Sequence, residues 1–171
     1  LKFATGSATR LTIDASGNVG IGTTAPHGKL QFANDVNTRK IVLYEGADND
    51  YQFYGFGVES QTLVYSTYTD TDDHVFFSGA SSSSRNELMR IEGSGNVGIG
   101  TSAPSSMLHL SAGTTGTVGG EHAAITMTNK YDNPDNSWKL APVRSGVSNT
   151  GFEIRDMTDS RTDMSFDGGG N

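Results

Sequence analysis

Gly20-Ile21-Gly22-Thr23-Thr24-Ala25 has the G-x-G-x-x-A spacing with which a glycine-rich turn cradles a dinucleotide pyrophosphate. That chemistry requires the last position to open a helix whose N-terminal amides face the phosphate. Here Pro26 follows at once and no helical periodicity comes after it. The spacing also returns at residues 98–103 with Pro104 behind it, so its context points away from a phosphate site. A second candidate is Asp70-Thr71-Asp72-Asp73-His74, three acids and a histidine in five positions. Oxygen-rich clusters of this kind can hold Ca²⁺, but Asp70, Asp72 and Asp73 lack the D-x-[DN]-x-[DN]-G order of a calcium loop. The competing reading is a solvated hairpin tip. His27, His74, His109 and His122 are scattered without H-x-H or H-E-x-x-H spacing, and no G-x-S-x-G elbow is present. Glu59, Glu87, Glu121, Glu153 and Asp156 are acids from which a glycosidase pair would have to come, with nothing in their spacing to single out two. Tyr51, Tyr54, Tyr65, Tyr68 and Trp138 have rings able to stack on a sugar or to fill an interface between chains. No cofactor is expected, and the sequence reads as a non-enzyme.

The elements that would position these residues are organised by a phrase that occurs twice. Ser16-Gly17-Asn18-Val19-Gly20-Ile21-Gly22-Thr23 returns as Ser94-Gly95-Asn96-Val97-Gly98-Ile99-Gly100-Thr101, 78 positions later (Gly17 to Gly95). The same offset carries Ile13 onto Ile91, Asp14 onto Glu92, Pro26 onto Pro104 and Leu30 onto Leu108. A third copy begins at Met164-Ser165-Phe166-Asp167-Gly168-Gly169-Gly170-Asn171. Self-similarity at a fixed period marks a tandem array of structural modules.

An apolar residue, an acid and then Gly-Asn is hairpin chemistry, because Gly and Asn tolerate positive φ. Ile13-Asp14 therefore runs in as one strand and Val19-Gly20-Ile21-Gly22 runs out as another. Alternation puts Val19 and Ile21 on one face, Gly20 and Gly22 on the other. Glycine along one strand face gives up packing and suits a place where another backbone comes close. Pro26 and Pro104 then end their strands.

With Leu88-Met89-Arg90-Ile91 before it and Met107-Leu108-His109-Leu110 after it, Ser-Gly-Asn-Val-Gly-Ile-Gly-Thr-x-Ala-Pro resembles the repeat of bacteriophage and large-virus fibre proteins. Related phrases occur in bacterial surface and prophage-encoded proteins. The resemblance implies a homotrimeric, β-rich shaft on the exterior of a virion, extending a receptor-binding tip for host attachment. Such fibres are often followed by a self-cleaving intramolecular chaperone domain, for which these residues leave no place. It further implies that Val19, Gly20, Ile21 and Gly22, with Val97, Gly98, Ile99 and Gly100, form tight collars where three chains meet. In that arrangement the glycines permit contact while the Val and Ile side chains fill the core. The partners are then two further copies of the chain and the neighbouring repeats. A glycan-binding adhesin module, on a fibre or a bacterial surface filament, and a glycan-depolymerising spike are the alternatives.

Composition sets the bounds. The 171 residues are 34% hydrophobic, below the ~45–50% (Gly included) of globular domains, a gap that 22 Gly narrow. Little core per residue suits a chain that shares its core with neighbours. A net charge of −7 argues against nucleic acid and against an anionic membrane surface. No apolar run approaches the ~18 residues of a membrane span. With no cysteine, disulfides and thiolate metal sites are excluded. Leu1-Lys2-Phe3-Ala4 carries neither an initiating Met nor a signal peptide, and the expectation is a piece of a longer chain.

Between the phrases, short β-branched and aromatic runs alternate with Asp, Asn, Gly and Ser. These include Lys40-Ile41-Val42-Leu43-Tyr44, residues 51–58, residues 61–65, residues 74–78, residues 123–128, residues 137–143 and residues 151–156. No stretch keeps i, i+3, i+4, i+7 apolar spacing. The sequence predicts an all-β fold: small antiparallel β-sandwich or meander modules in tandem, joined by the Gly-rich hairpin collars. Its expected divisions are 1–30, a partial repeat with the first collar; 31–108, a β-module with the second collar; and 109–171, a β-module with the start of a third.

Overall fold

The computed structural model describes residues 1–47, 49, 51–81, 84–112, 123–129, 136–142, 151–158 and 161–166. The described residues are all-β: they contain strands and turns and no helix. The chain divides into two units, Leu1–Asp72 and Asp73–Asn171, each opening on the hairpin that leads into the phrase.

The first unit holds β1 (Lys2–Thr5), β2 (Ala8–Ile13), β3 (Val19–Ile21) and β4 (Leu30–Phe32) in one sheet in that order. A second sheet follows with β5 (Asn37–Glu45), β6 (Phe53–Glu59) and β7 (Thr62–Ser66). The second unit holds β8 (His74–Ser81), β9 (Ser84–Ile91), β10 (Val97–Ile99) and β11 (Leu108–Leu110), then β12 (Ile125–Asn129), β13 (Asn136–Ala141), β14 (Phe152–Asp156) and β15 (Arg161–Phe166). These form two four-stranded sheets, each in sequential order.

The turn between β2 and β3 has a specific chemistry. Gly17 N donates to Asp14 O at 3.2 Å, and Asp14 N closes the hairpin on Asn18 O at 3.0 Å. Gly17 takes φ +75°, the left-handed residue that follows a type I turn in a three-residue hairpin. Asp14 Oδ1 accepts from the amides of Ser16 and Asn18, both at 2.8 Å, so the acid folds the turn around itself. These bonds hold the Asp14 carboxyl below its usual range, the Asn18 amide first among them. The second copy repeats the closure with Glu92, Gly95 at φ +92° and Asn96.

The β5–β7 and β12–β15 sheets between the phrases pair antiparallel, as expected, but the two sheets that carry the phrase are mixed. β3 pairs β4 in parallel, Val19 with Leu30 and Ile21 with Phe32, and β10 pairs β11 in the same way. Parallel neighbours usually need a crossover of a dozen residues or more. Here residues 22–29 suffice: Gly22, at φ +73°, turns the chain out of the sheet, and Thr23 and Pro26 lie back over Gly20. Gly100 repeats the turn at φ +74°.

A further regularity was not legible in the sequence. β2, β9 and β15 each carry one extra residue against their hairpin partner: Arg10, Leu88 and Asp163. In the first two, the carbonyl of that residue accepts the amide of Gly22 (2.9 Å) or Gly100 (3.0 Å). A bulge at this place re-aims the strand and holds the start of the crossover.

Buried apolar side chains are few among the described residues: Phe53, at 1% exposure, Ala141, and the two prolines Pro26 and Pro104. Phe53 lies over Gly55 and beneath the Arg39 guanidinium, 5.7 Å from its ring centroid, and Arg39 is in turn paired with Glu45. A Cβ on Gly55 or Gly57 would overlap the carbonyl of Ile41 or Thr38, so β5 closes over this face of β6.

Candidate functional site

The two faces of each phrase sheet differ in kind. On one face of the first sheet stand Lys2, Thr12, Gly20 and Gln31, aligned by register. A Cβ on Gly20 would lie 2.6 Å from Thr23 O and 3.4 Å from Pro26 Cδ. Gly98 has the same relation to Thr101 O, at 2.7 Å, and to Pro104. Both prolines are buried. The close approach that these glycines require is therefore made by the chain's own crossover. Gly22 and Gly100 are needed for their positive φ. This is a different use from the sequence expectation, in which all four glycines admit a second chain.

The crossover is fastened by a side chain from the following strand. Gln31 Oε1 accepts from His27 N at 2.7 Å, and at the equivalent place His109 Nδ1 accepts from Ser105 N at 3.3 Å. Gln and His share nothing in sequence terms except an acceptor at that reach. His109 thus has a structural task.

The opposite face is apolar across the first sheet, and across the second apart from His74 on its edge strand. One row runs Phe3, Leu11, Ile21, Phe32, and the next runs Leu1, Ile13, Val19, Leu30. In the second unit the rows are Phe76, Met89, Ile99, Leu110 and His74, Ile91, Val97, Leu108. Seven of these sixteen side chains are more than a third exposed, among them Ile21 at 41%, Leu30 at 57%, Ile99 at 45% and Leu108 at 54%, and the other nine are partly buried. Each face ends in a cleft. Phe32, Val36, Phe56, Val58 and Leu63 line one of about 490 Å³, with the Lys40–Asp35 pair at its margin. Leu110, Ile125, Leu140 and Phe152 line one of about 270 Å³. Phe32 and Leu110 are equivalent residues, so both clefts open at the same place in the pattern.

The aromatic candidates separate. Tyr54 and Tyr68 stack at 6.2 Å with Tyr44 beside both, a ring that sequence reasoning passed over and that the Tyr44–Tyr54 register supplies. The Tyr54 hydroxyl donates to the Asp72 carboxylate, which holds Asp72 below the usual range and pushes the phenol up. Tyr65 stacks on Phe56 at 4.9 Å instead. Tyr51 stands exposed apart from these rings, and Trp138 is half-buried in β13 of the second unit.

The acids are used locally. Asp72 Oδ2 accepts from Thr69 N at 2.7 Å, Asp73 pairs with Arg90, and Asp70 is exposed. Among the described residues no three His, Asp or Glu side chains are grouped to hold a metal. Arg90 also forks onto Glu87, 2.8 Å to each carboxylate oxygen. That bond chiefly holds Glu87 below its ordinary range and pushes Arg90 up. Glu153 and Asp156 are buried along β14, Glu59 is exposed, and Glu121 and His122 lie outside the described residues. No two of the described acids line either cleft. No helix among the described residues is long and apolar enough to cross a membrane.

No protein-family model matches the chain, and no curated protein matches it.

Proposed function

We propose that this chain is a shaft segment of a trimeric viral tail fibre, on the exterior of the virion, and that it holds a receptor-binding tip away from the particle. The observation that carries the reading is the near absence of a private core: among the described residues Phe53 is the one large apolar side chain that is fully buried, while 24 stand more than a third exposed. Conformational entropy opposes folding by ~1–2 kcal/mol per residue, and a chain that buries so little by itself needs neighbours to offset it. Large exposed apolar surface marks association. Tandem modules with a shared core give length and stiffness, a mechanical role that needs no cofactor.

Light scattering across a concentration series tests the proposal. A threefold mass that persists on dilution, with an elongated frictional ratio, is expected; a well-folded single-chain mass refutes it. A second reading, a glycan-binding module, draws on Tyr44, Tyr54 and Tyr68 gathered beside Asp72, since rings flanked by a carboxylate suit a sugar face and its hydroxyls. Glycan-array binding that is lost in Tyr44→Ala would favour it.

A further inference from the structure

We propose that copies of this chain associate through the apolar faces led by Phe3, Leu11, Ile21 and Phe32 in the first unit and Phe76, Met89, Ile99 and Leu110 in the second, and that the glycine faces point outward. The inference rests on the shaft reading and assigns it a surface. The sequence expectation had both sides of the phrase at the contact, with the glycines admitting a second backbone and Val19, Ile21, Val97 and Ile99 filling the shared core. The structure fills that space with the chain's own Thr23 and Thr101 carbonyls, 2.6 and 2.7 Å from where a Cβ would stand. With Pro26 and Pro104 buried above the glycines, that face has been covered by the crossover.

The occupant of the open face is a second copy for three reasons. The face occurs in both units on equivalent residues, Ile21 answering Ile99 and Phe32 answering Leu110, so each copy carries the same apolar pattern twice. Another copy of this chain presents that same pattern to either face. Neither pair of rows contains Asp, Glu, Lys or Arg, so the −7 charge of each copy does not sit across the contact. The seven side chains of these rows that stand more than a third exposed, together with the nine partly buried ones, offer on the order of 1,000 Å² per chain, against ~800 Å² per partner in a stable interface. The clefts at Phe32 and Leu110 extend the same surface onto the neighbouring sheet of each unit.

The absence of cysteine makes the test direct, because each substitution introduces a single thiol. Ile21→Cys and Ile99→Cys report the apolar face, while Thr24→Cys and Ser102→Cys report the exposed outer turn. Mass by light scattering and the rate of maleimide labelling are measured on the whole chain for all four and for the parent. A multi-chain mass with labelling at 21 and 99 slowed about a hundredfold or more against 24 and 102 is expected, as for groups that react only on opening. If Ile21→Cys or Ile99→Cys dissociates while Thr24→Cys stays assembled, the face is again supported. A multi-chain mass with all four thiols labelled alike, or with 24 and 102 protected, overturns the face and leaves the shaft reading standing. A single-chain mass for the parent overturns the shaft reading, and the face falls with it.

Discussion

Replacing Gly20 by Ala tests the crossover most directly, because the new Cβ would stand 2.6 Å from Thr23 O and 3.0 Å from Thr23 Cγ2. Ordinary contact begins near 3.4 Å, so the Thr23 carbonyl has to retreat by about 0.8 Å. That carbonyl is backbone, pinned between the left-handed Gly22 and the buried Pro26, and it cannot swing aside as a side-chain tip would. Forcing a methyl into a filled space costs ~1–3 kcal/mol. For a chain of this length each kcal/mol moves Tm by ~2–4 °C, so the expected loss is roughly 2–12 °C. Gly98→Ala meets Thr101 O at 2.7 Å and carries the same expectation. Two controls separate this mechanism from a general intolerance of Ala. Gly28 has nothing within 4 Å and no positive φ, so Gly28→Ala should gain ~0.4–1 kcal/mol through the unfolded chain. Gly17 also has open space but sits at φ +75°, so Gly17→Ala should cost ~1–2 kcal/mol from backbone strain alone. The assay is thermal unfolding followed by far-ultraviolet circular dichroism at one fixed protein concentration, since Tm of an assembled chain depends on concentration. Gly20→Ala and Gly98→Ala melting within about one degree of Gly28→Ala would refute the arrangement in which the crossover seals the glycine face.

Other expectations follow from named contacts. Gln31→Leu strands the His27 amide and should cost about 1 kcal/mol in urea unfolding, whereas Gln31→His should cost much less, because His109 already does this task in the second copy. Glu87 is depressed below its ordinary 4.5 chiefly by its bond from Arg90, so its contribution is complete above about pH 4.5 and is lost as pH falls through the lower folded value. A stability profile across that acid range should therefore be shallower in Arg90→Gln than in the parent, and equal slopes would discount the pair. Calcium should be without effect: Asp72 is engaged by Thr69 and Tyr54, and Asp73 by Arg90, so a chelator or added Ca²⁺ should leave Tm unchanged.

The sequence by itself determined the parts of this protein that depend on neighbours in the chain. Alternating apolar residues bounded by Gly, Asn, Asp and Pro make strands and turns wherever they occur, and the strands over residues 40–44, 61–65 and 151–156 form where they are expected, give or take their ends. The Asp14-to-Asn18 hairpin was legible because its bonds are local, and the 78-residue offset was legible because identity needs no structure. Strand formation at Ser84-Arg85-Asn86-Glu87 was hidden, since its polar residues find a strand only by pairing with β8.

What the tertiary structure decided is direction and facing. Sequence alternation separates Val19 and Ile21 from Gly20, but it cannot say which side the chain will return over. Only the positive φ of Gly22 and the parallel return of Leu30–Phe32 put Thr23 and Pro26 on the glycines, leaving the Val and Ile face open. The shared task of Gln31 and His109 was equally hidden, because it depends on one acceptor atom arriving beside one amide. Contacts of this kind are set by distances between residues on different strands, and a one-dimensional pattern records spacing without recording who meets whom.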